Sequence, residues 1–304
     1  MAEQLSIGVD LGGTKIEAVA LHDDGREARR LRIASPQGNY ANTVGAIRDL
    51  VATVSQGLHC APEVGIGIPG TISPVTRLVK NANSTWLIGH PFDRDLAAAL
   101  QRPVRLANDA NCFAISEAMD GVAAGADVVF GVILGTGTGS GLVVHGRVVG
   151  GINGVAGEWG HNPLPWPTDD ERPGRGCYCG QSGCIETFLS GPGLAADHAA
   201  ATGESLTAAE IAASDTPGAR ASLARYEQRL ARGLAHIINI LDPDMIVLGG
   251  SLGRIGRLYT NVPKLWTQWV FGGEAATRLA APRHGDASGV RGAARLWRAS
   301  SPFT

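Results

Sequence analysis

Between Gly157 and Glu186 the chain reads GEWGHNPLPWPTDDERPGRGCYCGQSGCIE, thirty residues that hold three of its five cysteines. Cys177, Cys179 and Cys184 are soft donors close enough in sequence to converge on one ion. His161 supplies the fourth corner of a Cys₃His set, an ordinary tetrahedral arrangement for structural zinc. On this reading the gap between His161 and Cys177 is a loop rich in proline and charge, closed by the metal rather than by a core. The alternatives are a disulfide among the cysteines, with His161 a surface residue, or reduced thiols that bind nothing. Glu158 stands three residues before His161 and Glu186 two after Cys184, so folding around a metal brings both carboxylates toward one spot. Acceptors fixed in that way suit the gripping of hydroxyls; the plain alternative is two solvated glutamates on a loop.

A second chemistry lies in two glycine-rich tips. Ser6 to Asp10 reads as a strand, Leu11-Gly12-Gly13-Thr14-Lys15 as a turn and Ile16 to Leu21 as a returning strand. Backbone N–H groups on such a tip can hold a phosphate, and Asp10 can hold a magnesium ion directly or through water; a plain hairpin turn is the competing reading. About 125 residues later the plan repeats: Phe130 to Leu134, a tip from Gly135, Thr136, Gly137 and Thr138 through Gly141, then Leu142 to Val144. Two such units predict an internal duplication with two phosphate-gripping hairpins. Neither is a Walker A loop, because GxxxxGK[ST] is missing, and neither is a Rossmann turn, because a strand follows the glycines. The GxGxxG match at Gly65, Gly67 and Gly70 runs along an apolar strand and encloses Pro69, so it is read as a chance match.

The elements that must position these groups follow from periodicity. Val44, Ile47, Val51 and Val54 mark a helix from about Asn42 to Gln56. Val64 to Ile68 and Val104 to Ala107 read as strands, the second running into Asn108-Asp109 and a helix from about Ala110 to Met119. Asp109 is either a helix N-cap or, at the carboxyl end of a strand where α/β folds place ligands, a candidate base. Leu223, Tyr226, Leu230, Leu234, Ile237 and Leu241 mark a long helix, and Met245 to Leu248 a buried strand ending in Gly249-Gly250-Ser251, which fits either a close approach of nucleotide or a tight turn. Ser288 to Trp297 reads as a final helix. The domain division is expected near residue 120, giving an α/β unit over 1–120, onto which a C-terminal helix of about 288–304 packs back, and a larger α/β unit over 121–287 with the cysteine-rich loop.

With 304 residues, 44% hydrophobic, 18% charged and a formal net charge of -2, the composition is that of an ordinary globular protein with room for two cores. No basic footprint for nucleic acid and no apolar run of membrane-spanning length is present. The opening MAEQLSIGVD lacks the pattern of a signal peptide, so a cytoplasmic protein is expected, a setting in which clustered cysteines point to metal more than to disulfides. Cys60 and Cys112 are left over as small buried hydrophobes.

DLGGTK at Asp10 to Lys15, GIPG at Gly67 to Gly70, NDAN at Asn108 to Asn111, the GTGTGSG tip, GEWGH at Gly157 to His161, CYCGQSGCIE at Cys177 to Glu186 and IVLGGS at Ile246 to Ser251 together resemble the ROK family of sugar kinases along nearly the whole chain. KNANSTWL at Lys80 to Leu87 and the GEWGHNPLPW run are most similar to its bacterial fructokinase/mannokinase branch. The resemblance implies a duplicated actin-like ATPase (ribonuclease H-like) fold, an α/β architecture of two domains around a cleft that holds ATP and sugar. It implies phosphorylation of a free hexose at the 6-hydroxyl, D-fructose first, with N-acetylglucosamine, glucose or mannose as alternatives and a non-catalytic sugar-responsive regulator as a distant one. Asp109 is then the general base. Gly70, Thr71, Asn83, Asn108, Glu158, His161 and Glu186 hold the sugar; Asp10, Gly12, Gly13, Thr14, Lys15, Gly135, Thr136, Gly137, Thr138, Gly249 and Gly250 hold ATP and magnesium. His161 serves with one ring nitrogen on zinc and the other toward the sugar. The resemblance also implies a homodimer. The family's repressors carry a DNA-binding domain ahead of the sugar-binding part, and with a first hairpin beginning at Asp10 a repressor is not expected.

Overall fold

The computed structural model describes residues 5–58 and 62–298, so Cys60 and the last residues of the expected C-terminal helix lie outside the described residues. In chain order the elements are β1 (Leu5–Leu11), β2 (Lys15–His22), β3 (Glu27–Ala34), α1 (Tyr40–Ser55), β4 (Glu63–Ile68), β5 (Thr71–Ile72), β6 (Val79–Lys80), α2 (Phe92–Leu100), β7 (Val104–Asn108), α3 (Asp109–Met119), β8 (Val128–Leu134), β9 (Thr138–Val144), β10 (Arg147–Val148), α4 (Glu186–Leu189), α5 (Gly191–Thr202), α6 (Ala208–Ala213), α7 (Pro217–Leu241), β11 (Met245–Gly249), α8 (Leu258–Trp266), β12 (Arg278–Ala280) and α9 (Ser288–Arg295). Contacts divide the chain into two compact units, one of residues 1–125, 141–156 and 286–304 and one of residues 126–140 and 157–285. A single division near residue 120 does not describe this partition, because residues 141–156 return to the first unit.

The duplication is written in the sheets. One runs β3-β2-β1-β4-β7 and the other β10-β9-β8-β11-β12, the same order of successive strands. In the first, β1 and β2 are antiparallel, as are β2 and β3, while β1, β4 and β7 are parallel. In the second, β9 and β10 are antiparallel and β8, β11 and β12 parallel. The short pair β5 and β6 stands apart.

In the first unit β1 and β2 are buried along most of their length, so apolar residues stand on both of their faces and Asp10 and Glu17 are the carboxylates among them. Ile7, Val9, Leu11, Ile16, Ala18 and Ala20 pack with Ile47, Leu50, Val51 and Val54 of α1, and Val19 and Leu21 pack with Val290 and Ala294 of α9. Helix α9 comes so close to the sheet that a Cβ on Gly65 would stand 1.9 Å from the carbonyl oxygen of Ala293. The apparent GxGxxG run is therefore partly a record of helix-on-strand packing, with no phosphate involved in that role. Strand β3 went unread in the sequence because it is an exposed edge carrying Arg29, Arg30 and Arg32, charges that suit an edge and mask strand character.

Candidate functional site

The first hairpin turns at Gly12 to Thr14, and Lys15 already belongs to β2. The Gly12 N–H donates to the Lys15 carbonyl at 2.9 Å, closing the turn. Asp10 lies opposite Glu17, and Glu17 opposite Arg32, so the register lays a carboxylate, a carboxylate and a guanidinium across three strands. Glu17 is buried and takes hydrogen bonds from Arg30 Nε and, at 2.9 Å, from Arg32 Nη2. Burial works against its ionisation, but the two arginines outweigh it and hold its carboxyl below the ordinary range. For Asp10 the balance goes the other way: burial first, then the Glu17 charge, outweighs the nearby Lys15 and Arg32 and pushes it up to about 6. Neither Glu17 nor its arginines was singled out in the sequence, where the only signal was Glu17 at period two from Lys15 in an otherwise apolar strand.

A folded-state pKa above the unfolded value of a carboxyl means that stability is lost as pH rises from about 4 through about 6, because the unfolded chain gives up its proton first. Above that window the cost is on the order of 2–3 kcal/mol at 1.36 kcal/mol per pKa unit. Asp10→Asn therefore raises the melting temperature at pH 7.5 and loses that advantage near pH 4. Equal melting of the two proteins at pH 7.5 would show that Asp10 carries no such penalty.

The other candidates of the first unit gather at the ends of β4 and β7. Asn83 N–H donates to the Pro69 carbonyl at 3.1 Å, and Asn108 Nδ2 reaches toward the Gly70 carbonyl at 3.5 Å, so Gly70, Asn83 and Asn108 share one neighbourhood beside Thr71, the first residue of β5. The N-cap of α3 is Asn108, whose side chain accepts from the Ala110 N–H at 2.8 Å; Asp109 is the first helical residue and its Oδ1 accepts from the same N–H at 2.8 Å. The capping role considered for Asp109 thus belongs to its neighbour. Cys112, one turn on, is fully buried with a thiol pushed well up by burial and then by the charges of Asp10 and Asp109. It is a small buried side chain near both carboxylates.

In the second unit the tip of the second hairpin is shorter than GTGTGSG: β9 begins at Thr138, leaving Gly135 to Gly137 as the turn, closed by Gly135 N–H to the Gly137 carbonyl at 3.0 Å. The Thr138 N–H, expected among the phosphate donors, instead donates to Glu186 Oε2 at 2.8 Å. Glu186, the first residue of α4, is thereby joined to the tip. The glycine end of β11 adjoins the same hairpin. Gly250 has φ +79°, and a Cβ there would stand 2.3 Å from the Leu134 carbonyl oxygen, so both conformation and space require glycine.

GEWGH folds as a 3-10 turn over Trp159–His161 held by its apolar centre. Trp159 is buried with its ring edge-on to Phe130 at 6.0 Å. A Cβ on Gly160 would meet the Thr138 carbonyl oxygen at 1.9 Å, and Ser140 Oγ donates to the Gly157 carbonyl at 2.5 Å. Trp159 against β8 and Gly160 against β9 thus lock the turn onto the hairpin and leave Glu158 and His161 on its flanks.

The ligand atoms of His161, Cys177, Cys179 and Cys184 all lie within 4.8 Å of one another. Cys177 Sγ is 3.5 Å from His161 Nδ1 and Cys179 Sγ 3.6 Å from Cys184 Sγ. Zinc–sulfur bonds of about 2.3 Å and zinc–nitrogen bonds of about 2.0 Å in a tetrahedron give edges of roughly 3.5–3.8 Å. The donor set fits such an ion, while a sulfur–sulfur separation of 3.6 Å is no disulfide. The other ring nitrogen, His161 Nε2, is 2.9 Å from the hydroxyl of Tyr178, a residue the sequence reading passed over. Burial, then Glu186, then Cys177 and Glu158 push the Tyr178 phenol up to about 12.

The loop between His161 and Cys177 is not closed by the cysteines alone. Leu164 is buried, and Glu171 is buried against α7, taking hydrogen bonds at 2.7 Å from Arg229 Nε and from Arg232 Nη2. Arg229 also holds Asp197 of α5 at 2.6 Å. Burial opposes ionisation of Glu171, but these guanidiniums outweigh it and bring its carboxyl down to about 2. The expectation of a loop without a core is corrected here: two anchors hold it, one of sulfur and nitrogen and one of buried charge.

Among the described residues no helix is long and apolar enough to cross a membrane. The sequence profile of the ROK family matches residues 6–300. The chain is 40% identical over 297 residues to an N-acetyl-D-glucosamine kinase of Escherichia coli strain K12, covering 95% of this chain and 98% of that protein. Among solved structures it is similar to a ROK hexokinase of Thermus thermophilus, with a TM-score of 0.84, 29% identity and coverage of 96% and 97% of the two chains. It is also similar to a ROK family glucokinase of Streptomyces griseus in complex with glucose and AMPPNP, with a TM-score of 0.78, 29% identity and coverage of 97% and 100%.

Proposed function

The chain belongs to the ROK family and has the actin-like ATPase fold, and from that membership we propose that it is an ATP-dependent sugar kinase that phosphorylates a free hexose at its 6-hydroxyl. The observation that supports the reading is the pair of duplicated hairpins together with the Glu186 link, in which a carboxylate beside the cysteine cluster takes the N–H of Thr138 at the second glycine-rich tip.

Phosphoryl transfer asks a protein chiefly to position reactants and neutralise charge. The first unit carries Asp109, which accepts the proton of the sugar's primary hydroxyl, with Gly70, Thr71, Asn83 and Asn108 on the remaining hydroxyls. The second carries Glu158 and Glu186 for the rest of the ring, while the His161 nitrogen expected to face the sugar, Nε2, is turned to the Tyr178 hydroxyl. The tip residues Gly12, Gly13, Thr14 and Lys15, and Gly135, Thr136 and Gly137, hold ATP phosphates, with Gly249 and Gly250 against the nucleotide and Thr138 tying Glu186 to its tip. Asp10 holds magnesium, which when bound neutralises charge on the transferring phosphoryl group. His161, Cys177, Cys179 and Cys184 hold zinc, which when bound fixes the loop and the orientation of the imidazole. Such a kinase works as a cytoplasmic homodimer.

Identity of 40% with an N-acetyl-D-glucosamine kinase favours N-acetylglucosamine as the first substrate, ahead of the fructose suggested by Lys80 to Leu87; that stretch, which includes Asn83, keeps fructose as the second reading. A coupled ADP-release assay over N-acetylglucosamine, N-acetylmannosamine, glucose, mannose and fructose is expected to give the highest kcat/KM for N-acetylglucosamine. A tenfold preference for fructose reverses the order of the two readings, and release of ADP with none of the hexoses removes the kinase assignment.

A further inference from the structure

We propose that Tyr178 is a specificity-determining residue of this site, offering its hydroxyl proton to the acetamido carbonyl of an N-acetylated hexosamine; the inference rests on the hexose-kinase reading above. Tyr178 lies between two of the clustered cysteines, with its ring edge-on to His161 at 5.1 Å and its hydroxyl 2.9 Å from His161 Nε2. Tyr178 is 77% exposed, so the fold does not need it as core. Its hydroxyl is instead set against Nε2 of His161, the ring nitrogen not turned to Cys177.

The donor balance of the cluster gives that position its meaning. The carboxylate oxygens of Glu158 and Glu186 accept hydrogen bonds, which suits sugar hydroxyls that donate to them. An acetamido carbonyl can only accept and needs a donor. Nδ1 of His161 is turned to Cys177 at 3.5 Å; with zinc bound there, the ring proton would stand on Nε2, 2.9 Å from the Tyr178 oxygen, which would then accept it. The proton left over in the group formed by Glu158, His161, Tyr178 and Glu186 is then the phenolic one, the donor that a carbonyl requires. Glucose presents a hydroxyl in place of the acetamido group, and a hydroxyl can donate to a carboxylate instead, so it depends less on Tyr178.

Tyr178→Phe keeps the ring against His161 and removes only the O–H. The zinc-loaded enzyme and this variant are compared in kcat/KM for N-acetylglucosamine and glucose, and in calorimetric binding of both sugars without nucleotide. Zinc content and melting temperature are measured alongside. The expected result is that the ratio of N-acetylglucosamine to glucose falls about tenfold or more in both assays, the size of one lost hydrogen bond to a buried acceptor, while zinc content stays unchanged. An unchanged ratio, or an equal fall for the two sugars, overturns the proposal and makes Tyr178 a support of the loop. A wild-type enzyme that phosphorylates glucose but not N-acetylglucosamine overturns it too and leaves the hexose-kinase reading standing, whereas no turnover and no binding of any hexose removes that reading itself.

Discussion

Asp109→Asn is expected to purify folded, to bind hexose with nearly wild-type affinity, and to turn over about 10²–10⁴-fold more slowly, the usual worth of a general base. The local structure separates these effects. Because Asn108 caps α3 and Asp109 is only its first helical residue, the helix keeps its cap when Asp109 changes. The oxygen that accepts from the Ala110 N–H at 2.8 Å is retained in an asparagine amide. Size and one acceptor persist; the capacity to take up a proton does not. Single-turnover measurement of product with saturating sugar and MgATP separates the chemical step from binding. A variant that keeps more than half of the wild-type kcat takes Asp109 out of the proton transfer.

Cys177→Ser and Cys179→Ser are expected to lose the bound zinc, about one ion per chain in the wild type, and to lose sugar affinity and melting temperature together. Metal binding energy in such sets is partly folding energy, but here the loop has its second anchor. Glu171 stays held by Arg229 and Arg232 on α7 when the sulfur donors are removed. The variants should therefore remain folded, with the loss confined to the segment around Cys177 to Cys184 and to the orientation of His161. Hydrogen exchange should rise in that segment and stay unchanged in α7. Elemental analysis finding no zinc in freshly purified, chelator-free wild type contradicts the assignment, and global unfolding of the cysteine variants contradicts the second anchor. A Glu171→Gln control tests that anchor from the other side: it takes the Glu171 charge from buried Arg232 and from Arg229, which keeps Asp197, a change that commonly costs several kcal/mol, and it spares the cysteines.

What the sequence alone determined about this protein lies within short separations. The turn of the first hairpin, the Cys₃His set, α7 and the position of Asp109 after β7 were legible because each is fixed by spacing and periodicity over ten to thirty residues, where backbone geometry leaves few choices. The duplication was legible for the same reason, as two local patterns alike. Polar groups that choose their partners at a distance were decided by the tertiary structure. Nothing local tells Glu171 that it will be buried against Arg229 and Arg232 some sixty residues later, since an isolated glutamate in a charged loop reads as solvated. Nothing local tells Glu186 that it will take the Thr138 N–H, or Tyr178 that it will meet His161. Strand β3 was hidden because a charged edge strand keeps its backbone pairing but lacks the apolar alternation that reveals it. Hydrophobic burial acts on patterns and can be read from them, whereas a hydrogen bond or ion pair depends on the placement of two groups within about 3 Å, and only the folded chain brings such groups together.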